Sequence, residues 1–357
     1  MFYFLFLFTY ICGIHYYTSK RSGNGIWVWI ISFIPLFLYG ALRINCGDYE
    51  IYENYNTWVH TSNDVFGVIE RMEPGYALLN SFLSYRAIIV LFSLLGCISY
   101  AYFIKTYVQR QYWWFALVVY FLVCDKTMYF MFASIRNAIA IDLLLIYIST
   151  LSNDKKKGFK SIVRLIIFTL LSASFHTSSL LFYPIAYILY NPKTITRKES
   201  IIWYVVLALL LVIPVDLLLE RIPLLQVDAF ERYEDYVEET RDAGLLAKFG
   251  ATIFAVLVLQ NNVERKYSKT ENSISRLMLV FVYSYLLGSL NVRVSHYFIP
   301  FAIVYLSCVY GRKKDFLTNA LIIYALLFMF YSTFIAGTLG DPIRSPLVNY
   351  KIMIQIF

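Results

Sequence analysis

The chain has 357 residues, of which 59% are hydrophobic and 19% aromatic, with a mean hydropathy of +0.61 and a formal net charge of +8. No soluble domain of this length tolerates that composition, so the successive apolar runs predict an all-α polytopic membrane protein. The five cysteines are scattered, mostly within apolar runs, which argues against a disulfide framework or a zinc site. The positive charge follows from the topology described next and predicts no nucleic-acid partner.

Apolar segments predict about twelve transmembrane helices. They cover residues 2–19, 26–42, 86–104, 111–124, 129–151, 161–175, 178–190, 201–219, 245–260, 274–290, 297–310 and 316–334. The first segment has no basic residues before it and no small-residue cleavage site, so we expect it to be retained as a helix. We predict a single integral-membrane domain over residues 1–357, with two larger outer loops at about residues 43–75 and 220–244.

The basic residues give this arrangement an orientation. Six short connections collect Lys and Arg, as at Lys20-Arg21 and Arg312-Lys313-Lys314, and the connections between them are polar or turn-like. The positive-inside rule places the six basic connections in the cytoplasm, so the N-terminus, both larger loops and the C-terminus lie outside. Polar residues of catalytic types gather at helix ends on this outer face. We therefore expect a membrane-embedded site that opens outwards.

The first outer loop begins with Arg43-Ile-Asn-Cys-Gly-Asp48-Tyr49-Glu-Ile-Tyr52, directly after an apolar run. Charges at the mouth of a membrane helix are costly unless they face water or a cavity, so Arg43 and Asp48 mark a candidate functional position. An ordinary juxtamembrane turn is the alternative, in which Asp48 fixes the loop by pairing with Arg43. Tyr49 and Tyr52 are spaced to share one side of a helical turn.

The same loop ends with Glu70-Arg-Met-Glu73-Pro-Gly75. Pro74 suits the first position of a helix, so Glu73 stands at a helix start. Its carboxylate is a candidate general base, and the alternative is a carboxylate that caps the helix.

Arg136 lies in an otherwise apolar predicted helix, within Ser134-Ile-Arg-Asn-Ala-Ile-Ala-Ile-Asp142. A guanidinium in such a place needs a phosphate or a carboxylate, because its donors are costly to leave unpaired. The alternative to a phosphate is an internal salt bridge with Asp125 or Asp142. Asp142 is a poor local partner, since it lies off the same helical face.

Two histidines stand at predicted helix ends on the outer face. His176 lies in Phe175-His-Thr-Ser-Ser179, between two predicted spans, and His296 follows Arg293 in Asn291-Val-Arg-Val-Ser-His296. Histidine transfers protons near neutral pH, although a lone histidine also serves as a structural residue. Two or three cations at this level suit the negative charge of a lipid pyrophosphate.

The second outer loop mixes acids, arginines and tyrosines at helical spacing. It predicts an amphipathic helix on the membrane surface, with a glycan groove as the alternative. The sequence has no Walker A pattern, no DxD-type acid pair and no His/Cys cluster with metal spacing. We therefore predict that the protein has no fused ATPase, no catalytic metal and no cofactor.

Six motifs in order resemble the EpsG/Wzy family of bacterial polysaccharide repeat-unit polymerases. They are Arg43…Gly47-Asp48-Tyr49…Tyr52, Glu73-Pro-Gly-Tyr76, Ser134-Ile-Arg136-Asn…Ala140, Phe175-His176-Thr-Ser-Ser179, Arg293…Tyr297-Phe298 and Asn349-Tyr350-Lys351. The likeness covers nearly the whole chain. Two departures are modest: Asn137 stands where Gln is common, and the residue directly before Tyr350 is Asn349 and not Pro.

The resemblance implies a metal-independent glycosyltransferase of the GT-C type with an outer-face cavity, in the bacterial inner membrane. Its donor and acceptor would be glycans on undecaprenyl pyrophosphate, and its other partners membrane lipids, a chain-length regulator and a flippase of the same pathway. The expected roles are proton transfer by His176, Glu73 or Asp48, with the first two favoured; pyrophosphate binding by Arg136 and Arg293, with Arg43 weaker; and glycan binding by Tyr49, Tyr52 and His296.

Three other functions share this topology. One is a ligase and another a transferase that uses a polyprenyl-phosphate sugar, and both differ from a polymerase in the lipid product. The third is a lipid-linked oligosaccharide flippase, in which an intramembrane arginine is equally at home.

Overall fold

The computed structural model describes residues 2–19, 25–45, 49–62, 72–123, 127, 134–152, 158–212, 245–262, 269–287, 291–312, 315–331 and 351–352. These residues form fourteen α-helices and one pair of short strands. The chain divides into two compact units, one of Met1–Ile188 with Thr333–Phe357 and the other of Leu189–Ser332. The single domain expected over residues 1–357 stays a prediction.

The described residues of the first unit contain nine helices and both strands. In chain order these are α1 (Phe2–Ser19), α2 (Gly25–Ala41), β1 (Arg43–Asn45), α3 (Tyr49–Thr61), α4 (Pro74–Phe82), α5 (Tyr85–Tyr107), α6 (Trp113–Leu122), α7 (Ile135–Leu151), α8 (Phe159–Ala173), α9 (Ser179–Leu189) and β2 (Lys351–Ile352). Helix α1 packs against α2 and α6, while α5 packs against α2 and α7. Helix α8 also packs on α7, so α7 contacts both α5 and α8.

A tyrosine-rich core joins α3, α4, α5 and α7. Its buried members are Tyr49, Tyr52, Tyr55, Tyr76, Ala77, Tyr85, Ile88, Ile89, Phe92, Ile135 and Ile139. Aromatic side chains bury a large apolar area while keeping a hydroxyl that needs a partner. This core therefore combines tight packing with polar groups next to the charged residues of the loop.

The strand pair is a feature that the sequence did not predict. Strand β1 pairs antiparallel with β2, with Arg43 opposite Ile352 and Asn45 opposite Lys351. Strands of two or three residues are too short to show a period in the sequence. The pairing attaches a segment near the C-terminus to the start of the first outer loop.

The described residues of the second unit contain five helices. They are α10 (Arg197–Val212), α11 (Leu245–Asn262), α12 (Lys269–Ser284), α13 (Asn291–Tyr310) and α14 (Phe316–Phe330). Helices α12 and α13 pack along each other, and α11 packs on α12 and α14. Polar contacts stabilise the ends of these helices: Arg276 Nη2 donates to Glu199 Oε2 at 2.6 Å, and Asn262 Nδ2 donates to Tyr305 OH at 2.6 Å.

The helices confirm the all-α class but not the number of spans. Among the described helices only α5, with 23 residues, is both long and apolar enough to cross a membrane by itself. Shorter apolar helices cover Gly25–Ala41, Ser179–Leu189, Val294–Tyr310 and Phe316–Phe330. Twelve spans and the GT-C arrangement stay predictions. The second outer loop, 220–244, lies outside the described residues.

Several helices expose large apolar side chains. The exposed fractions reach 62% for Trp27 on α2, 61% for Leu170 on α8 and 70% for Ile188 on α9. Contiguous apolar surfaces of this kind are unfavourable in water and are suited to lipid. The first outer loop differs, because it contains the less apolar helix α3, followed by α4.

Candidate functional site

Arg136 is held by residues far from it in sequence. It stands in the first turn of α7, where Nη1 donates to Glu73 Oε2 and Nε donates to Tyr52 OH at 3.3 Å. Its Cζ also lies 5.6 Å from the centroid of the Tyr52 ring, in a cation–π arrangement. The side chain is 26% exposed, so the guanidinium is accessible from one side.

The carboxylate partner of Arg136 differs from the two that the sequence suggested. Asp142 accepts a hydrogen bond from Ser99 Oγ instead, and Asp125 lies outside the described residues. Glu73 was not considered, because sequence separation hides a contact between α4 and α7. The internal salt bridge considered as the alternative is present, with Glu73 and not Asp142 as the acid.

Glu73 occupies the N-cap position of α4, but its side chain makes no capping hydrogen bond. Burial raises the pKa of this carboxyl, but the neighbouring His176 imidazole and the charge of Arg136 outweigh burial and lower the pKa to about 2. Glu73 is therefore a fixed anion at neutral pH. The capping role considered from sequence does not describe this side chain.

His176 completes the cluster. Its Nδ1 lies 3.5 Å from Glu73 Oε1, and its side chain is 18% exposed. The turn between α8 and α9 is held by its own hydrogen bonds: His176 N donates to Ser172 O at 2.9 Å, and Ser179 Oγ donates to His176 O at 2.7 Å. These contacts fix the backbone from which the imidazole reaches Glu73.

A close backbone contact brings the Glu73 segment onto the His176 turn. Gly75 N donates to Ser174 O at 2.8 Å, and Tyr76 N reaches the same oxygen at 3.3 Å. A Cβ at Gly75 would stand 2.3 Å from Ser174 Oγ and 2.8 Å from Ser174 O. Only glycine fits this approach, so the Pro-Gly pair after Glu73 serves to dock one segment on the other.

The α8–α9 hairpin is in turn attached to α7. Tyr183 OH donates to Ala140 O at 2.8 Å, and Ser172 Oγ donates to the same carbonyl at 3.5 Å. Ala140 lies one turn after Arg136 on α7. These hydrogen bonds hold the hairpin that carries His176 against the helix that carries Arg136.

The two tyrosines predicted for glycan binding are both buried on α3. Tyr52 packs edge-on against Tyr76 with ring centroids 5.5 Å apart, and Tyr49 packs against Tyr85 at 5.0 Å. Burial raises the pKa of Tyr49, as does the nearby Glu53 charge, while Arg86 and Arg43 oppose this rise. In this structure Tyr52 contacts Arg136 and Tyr76, and Tyr49 contacts Tyr85. The role of both tyrosines in glycan binding stays a prediction.

The remaining predicted residues lie apart from this cluster or outside the description. Arg43 is buried at β1, beside Tyr49 and Tyr85. Asp48 lies outside the described residues, and Arg293 belongs to α13 without a described side chain. His296 is buried on α13 in the second unit. The expected cooperation of Arg136 with Arg293 stays a prediction.

Sequence reasoning did not identify three residues that contact the segments around the site: Arg86, Tyr85 and Ser174. Arg86 donates to the backbone carbonyl of Arg43. A cation in the first turn of the longest apolar helix is the signal that could have identified it. Ser174 has no such signal, because its role depends on its backbone carbonyl.

The apolar helices with lipid-compatible surfaces, and the charged cluster at their ends, define a helical membrane protein with a polar site. Comparison with family models identifies which one: the chain belongs to the EpsG family, whose model matches residues 26–352. This confirms the resemblance seen in the motifs and places the chain in polysaccharide biosynthesis at a membrane, with lipid-linked sugar substrates. Searches of curated proteins and of solved structures return no match.

Proposed function

We propose that this protein is a glycosyltransferase that polymerises oligosaccharide repeat units carried on undecaprenyl pyrophosphate, at the outer face of the bacterial inner membrane. The observation that carries this proposal is the contact of Arg136, Glu73 and His176 at the ends of three segments. An anion-binding cation and a carboxylate-bound histidine side by side suit a reaction that moves a proton and releases a diphosphate.

In this mechanism His176 is the general base. Glu73 faces Nδ1 at 3.5 Å and favours the tautomer with hydrogen on that nitrogen, so Nε2 is the atom that accepts the proton. The imidazolium that forms is stabilised by the carboxylate. Because the pKa of Glu73 is about 2, its carboxylate is a poor proton acceptor near neutral pH and acts as a positioning residue.

The bond changes assign Arg136 to the leaving group. The acceptor hydroxyl forms a bond to the anomeric carbon, its proton passes to His176, and the bond from that carbon to the diphosphate breaks with its electron pair. Negative charge grows on the diphosphate, and Arg136 stabilises it. Two of its nitrogens are engaged by Tyr52 and Glu73, whereas Nη2 makes no hydrogen bond to the described residues and is available to phosphate oxygen.

The wider proposal includes the roles predicted from sequence. Arg293 supplies a second cation to the diphosphate, so the charge that many glycosyltransferases obtain from a metal comes from guanidinium groups. Asp48 remains the third candidate base, and His296 a candidate glycan contact. A GT-C-like arrangement of about twelve spans would present these residues to an outer-face cavity.

The test is the chain-length ladder of the surface polysaccharide made by variants present at normal membrane levels. Arg136→Ala and His176→Ala should each lower the polymerisation rate about a hundredfold or more, leaving single repeat units. Arg197→Ala, which removes an exposed arginine at the start of α10, is the control and should leave the ladder unchanged. Long chains from the Arg136→Ala and His176→Ala proteins would contradict the proposal.

The same gel separates a polymerase from a ligase and from a monosaccharide transferase, and a leaflet assay of the lipid-linked unit separates it from a flippase. A ligase defect leaves polymer unattached to its final acceptor, and a defect in a monosaccharide transferase alters the mass of each repeat unit. A flippase defect accumulates the lipid-linked unit on the cytoplasmic leaflet.

A further inference from the structure

A second group of buried polar side chains lies where β1 is followed by α3 and approaches the start of α5. Arg43 is 2% exposed, and its Nε and Nη1 make no hydrogen bond to the described part of the chain. Arg86 Nη1 donates to the Arg43 backbone carbonyl, and both arginines act on Tyr49 through their charges. Two cations therefore lie together near one tyrosine hydroxyl.

Tyrosine hydroxyls connect this group to the Arg136 cluster. Tyr85 lies within electrostatic reach of Arg43, and its ring contacts Tyr49. The hydroxyls of Tyr85 and Tyr76 are buried and make no hydrogen bond within the described residues. Tyr76 contacts Tyr52, which accepts a hydrogen bond from Arg136. The result is a row of hydroxyl groups with a cation at each end.

In the part of the chain that the structure describes, a buried guanidinium with two unpaired nitrogens is costly, and the unpaired hydroxyls of Tyr76 and Tyr85 add to that cost. No described carboxylate forms an ion pair with Arg43, and Glu53 Oε1 accepts from Tyr49 OH at 3.3 Å instead. Arginine and tyrosine donors around one point suit a phosphate, which offers several acceptor oxygens. The missing partner is thus an anion rich in acceptors.

We propose that Arg43, Arg86 and Tyr85 bind the lipid-proximal phosphate of a diphosphate whose sugar-proximal phosphate lies at Arg136. This inference rests on the proposed function and divides the diphosphate between two subsites. Tyr49 and Tyr52, one at each subsite, are one helical turn apart, about 5 Å, which adjacent phosphates bridge.

The position in the fold decides which phosphate belongs to which subsite. Arg86 is the second residue of α5, the described helix long enough to cross a membrane, and Arg43 follows the apolar helix α2. Both residues therefore lie at an end of an apolar helix, the position that the lipid end of the carrier requires. Arg136 lies beside His176 and Glu73, where the sugar reacts. Arg43 is therefore a main ligand, and the sequence-based pairing with Asp48 is the competing explanation.

Binding to the full-length protein in nanodiscs tests the proposal with three probes: undecaprenyl pyrophosphate, undecaprenyl phosphate and inorganic pyrophosphate. Arg43→Gln and Arg86→Gln should each weaken binding of the lipid diphosphate about tenfold or more, and binding of the lipid monophosphate by as much, because the monophosphate carries only the lipid-proximal phosphate. Arg197→Gln should change neither affinity. An affinity for the lipid monophosphate that is unchanged in both Arg43→Gln and Arg86→Gln would overturn the proposal.

Two further variants keep the test decisive if Arg43→Gln fails to fold. Arg43→Lys retains the charge but loses the forked donors, and Tyr85→Phe removes one hydroxyl, so both should lower the affinity for the lipid monophosphate about threefold or more. If Asp48 merely neutralises Arg43, Asp48→Asn should destabilise the protein, and none of the variants at Arg43, Arg86 or Tyr85 should change the affinity for the lipid monophosphate.

The outcomes also separate this inference from the proposed function. A wild-type protein that binds neither lipid contradicts the proposed function itself. A wild-type protein that binds the lipid diphosphate, with variants that bind it equally well, contradicts the second subsite alone. Displacement of the lipid by inorganic pyrophosphate in the wild type and not in Arg43→Gln supports recognition of the diphosphate group. Binding of inorganic pyrophosphate that is tighter than binding of the lipid diphosphate would assign the subsite to a free anion and overturn the lipid-proximal assignment.

Discussion

Glu73 accepts a hydrogen bond from the guanidinium of Arg136, which lies 63 residues later in the chain. The pair is partly buried, with side chains 12% and 26% exposed, and the same carboxylate faces His176. One anion therefore connects the cation proposed for the leaving group with the histidine proposed as the base. Charge changes at any one of the three should alter the other two.

The first prediction concerns the stability of this pair. Glu73→Gln and Arg136→Gln should each lower the free energy of unfolding, because each leaves a partly buried charge without its partner. The double variant should lose less than the sum of the two single losses, with a coupling of about 0.5–3 kcal/mol. Thermal unfolding of the four proteins in detergent measures the cycle. Strictly additive losses would mean that the two side chains do not interact in solution.

The pH dependence of stability follows from the low pKa of Glu73. The native carboxyl has a pKa of about 2, below the ordinary value of 4.5, so as the pH falls the unfolded chain takes up the proton first. The stabilisation is complete above pH 4.5 and is lost as the pH falls from 4.5 towards 2. The difference in unfolding temperature between wild type and Glu73→Gln should narrow over that interval. A difference that stays constant with pH would rule out this ionisation as its origin.

A third prediction separates the positioning role of Glu73 from the proton transfer by His176. Glu73→Gln removes the charge that stabilises the protonated ring, so the acid limb of the pH–rate profile should move to lower pH while activity falls. His176→Ala should remove that limb along with most of the rate. An acid limb in the same place for wild type and Glu73→Gln would show that the carboxylate does not act through the histidine.

Gly75 offers a test of the docking between segments. Gly75→Ala places a methyl group against Ser174, which should cost about 1–3 kcal/mol and reduce polymerisation by separating Glu73 from His176. Gly158→Ala is the matched control, because nothing lies within 4 Å of its Cβ position. Ser174→Ala should restore only part of the loss, since the Ser174 carbonyl oxygen at 2.8 Å remains. The unfolding temperature measures the loss of stability in each variant, and the chain-length ladder measures the loss of polymerisation.

Composition and charge were enough to predict the helical class and the kinds of residue that form the site. Apolar runs indicate helices because the backbone N–H and C=O groups of a segment in lipid must hydrogen-bond within that segment. This requirement is local, so a single sequence is enough to reveal it. In the same way Pro74 marked a helix start, and the position of Arg136 in an apolar run marked a charge that needs a partner. The order of the motifs then led to the family.

Only the tertiary structure decided which side chains meet. The choice of Glu73 over Asp142 as the partner of Arg136, the contact of Gly75 with the Ser174 carbonyl, and the approach of Arg86 to Arg43 all join residues distant in sequence. Such contacts depend on how whole helices pack, and the donor or acceptor is often a backbone atom that every residue type carries. The sequence therefore gives the chemical type of each residue directly. The partner of that residue depends on how distant segments pack, which a single sequence does not show.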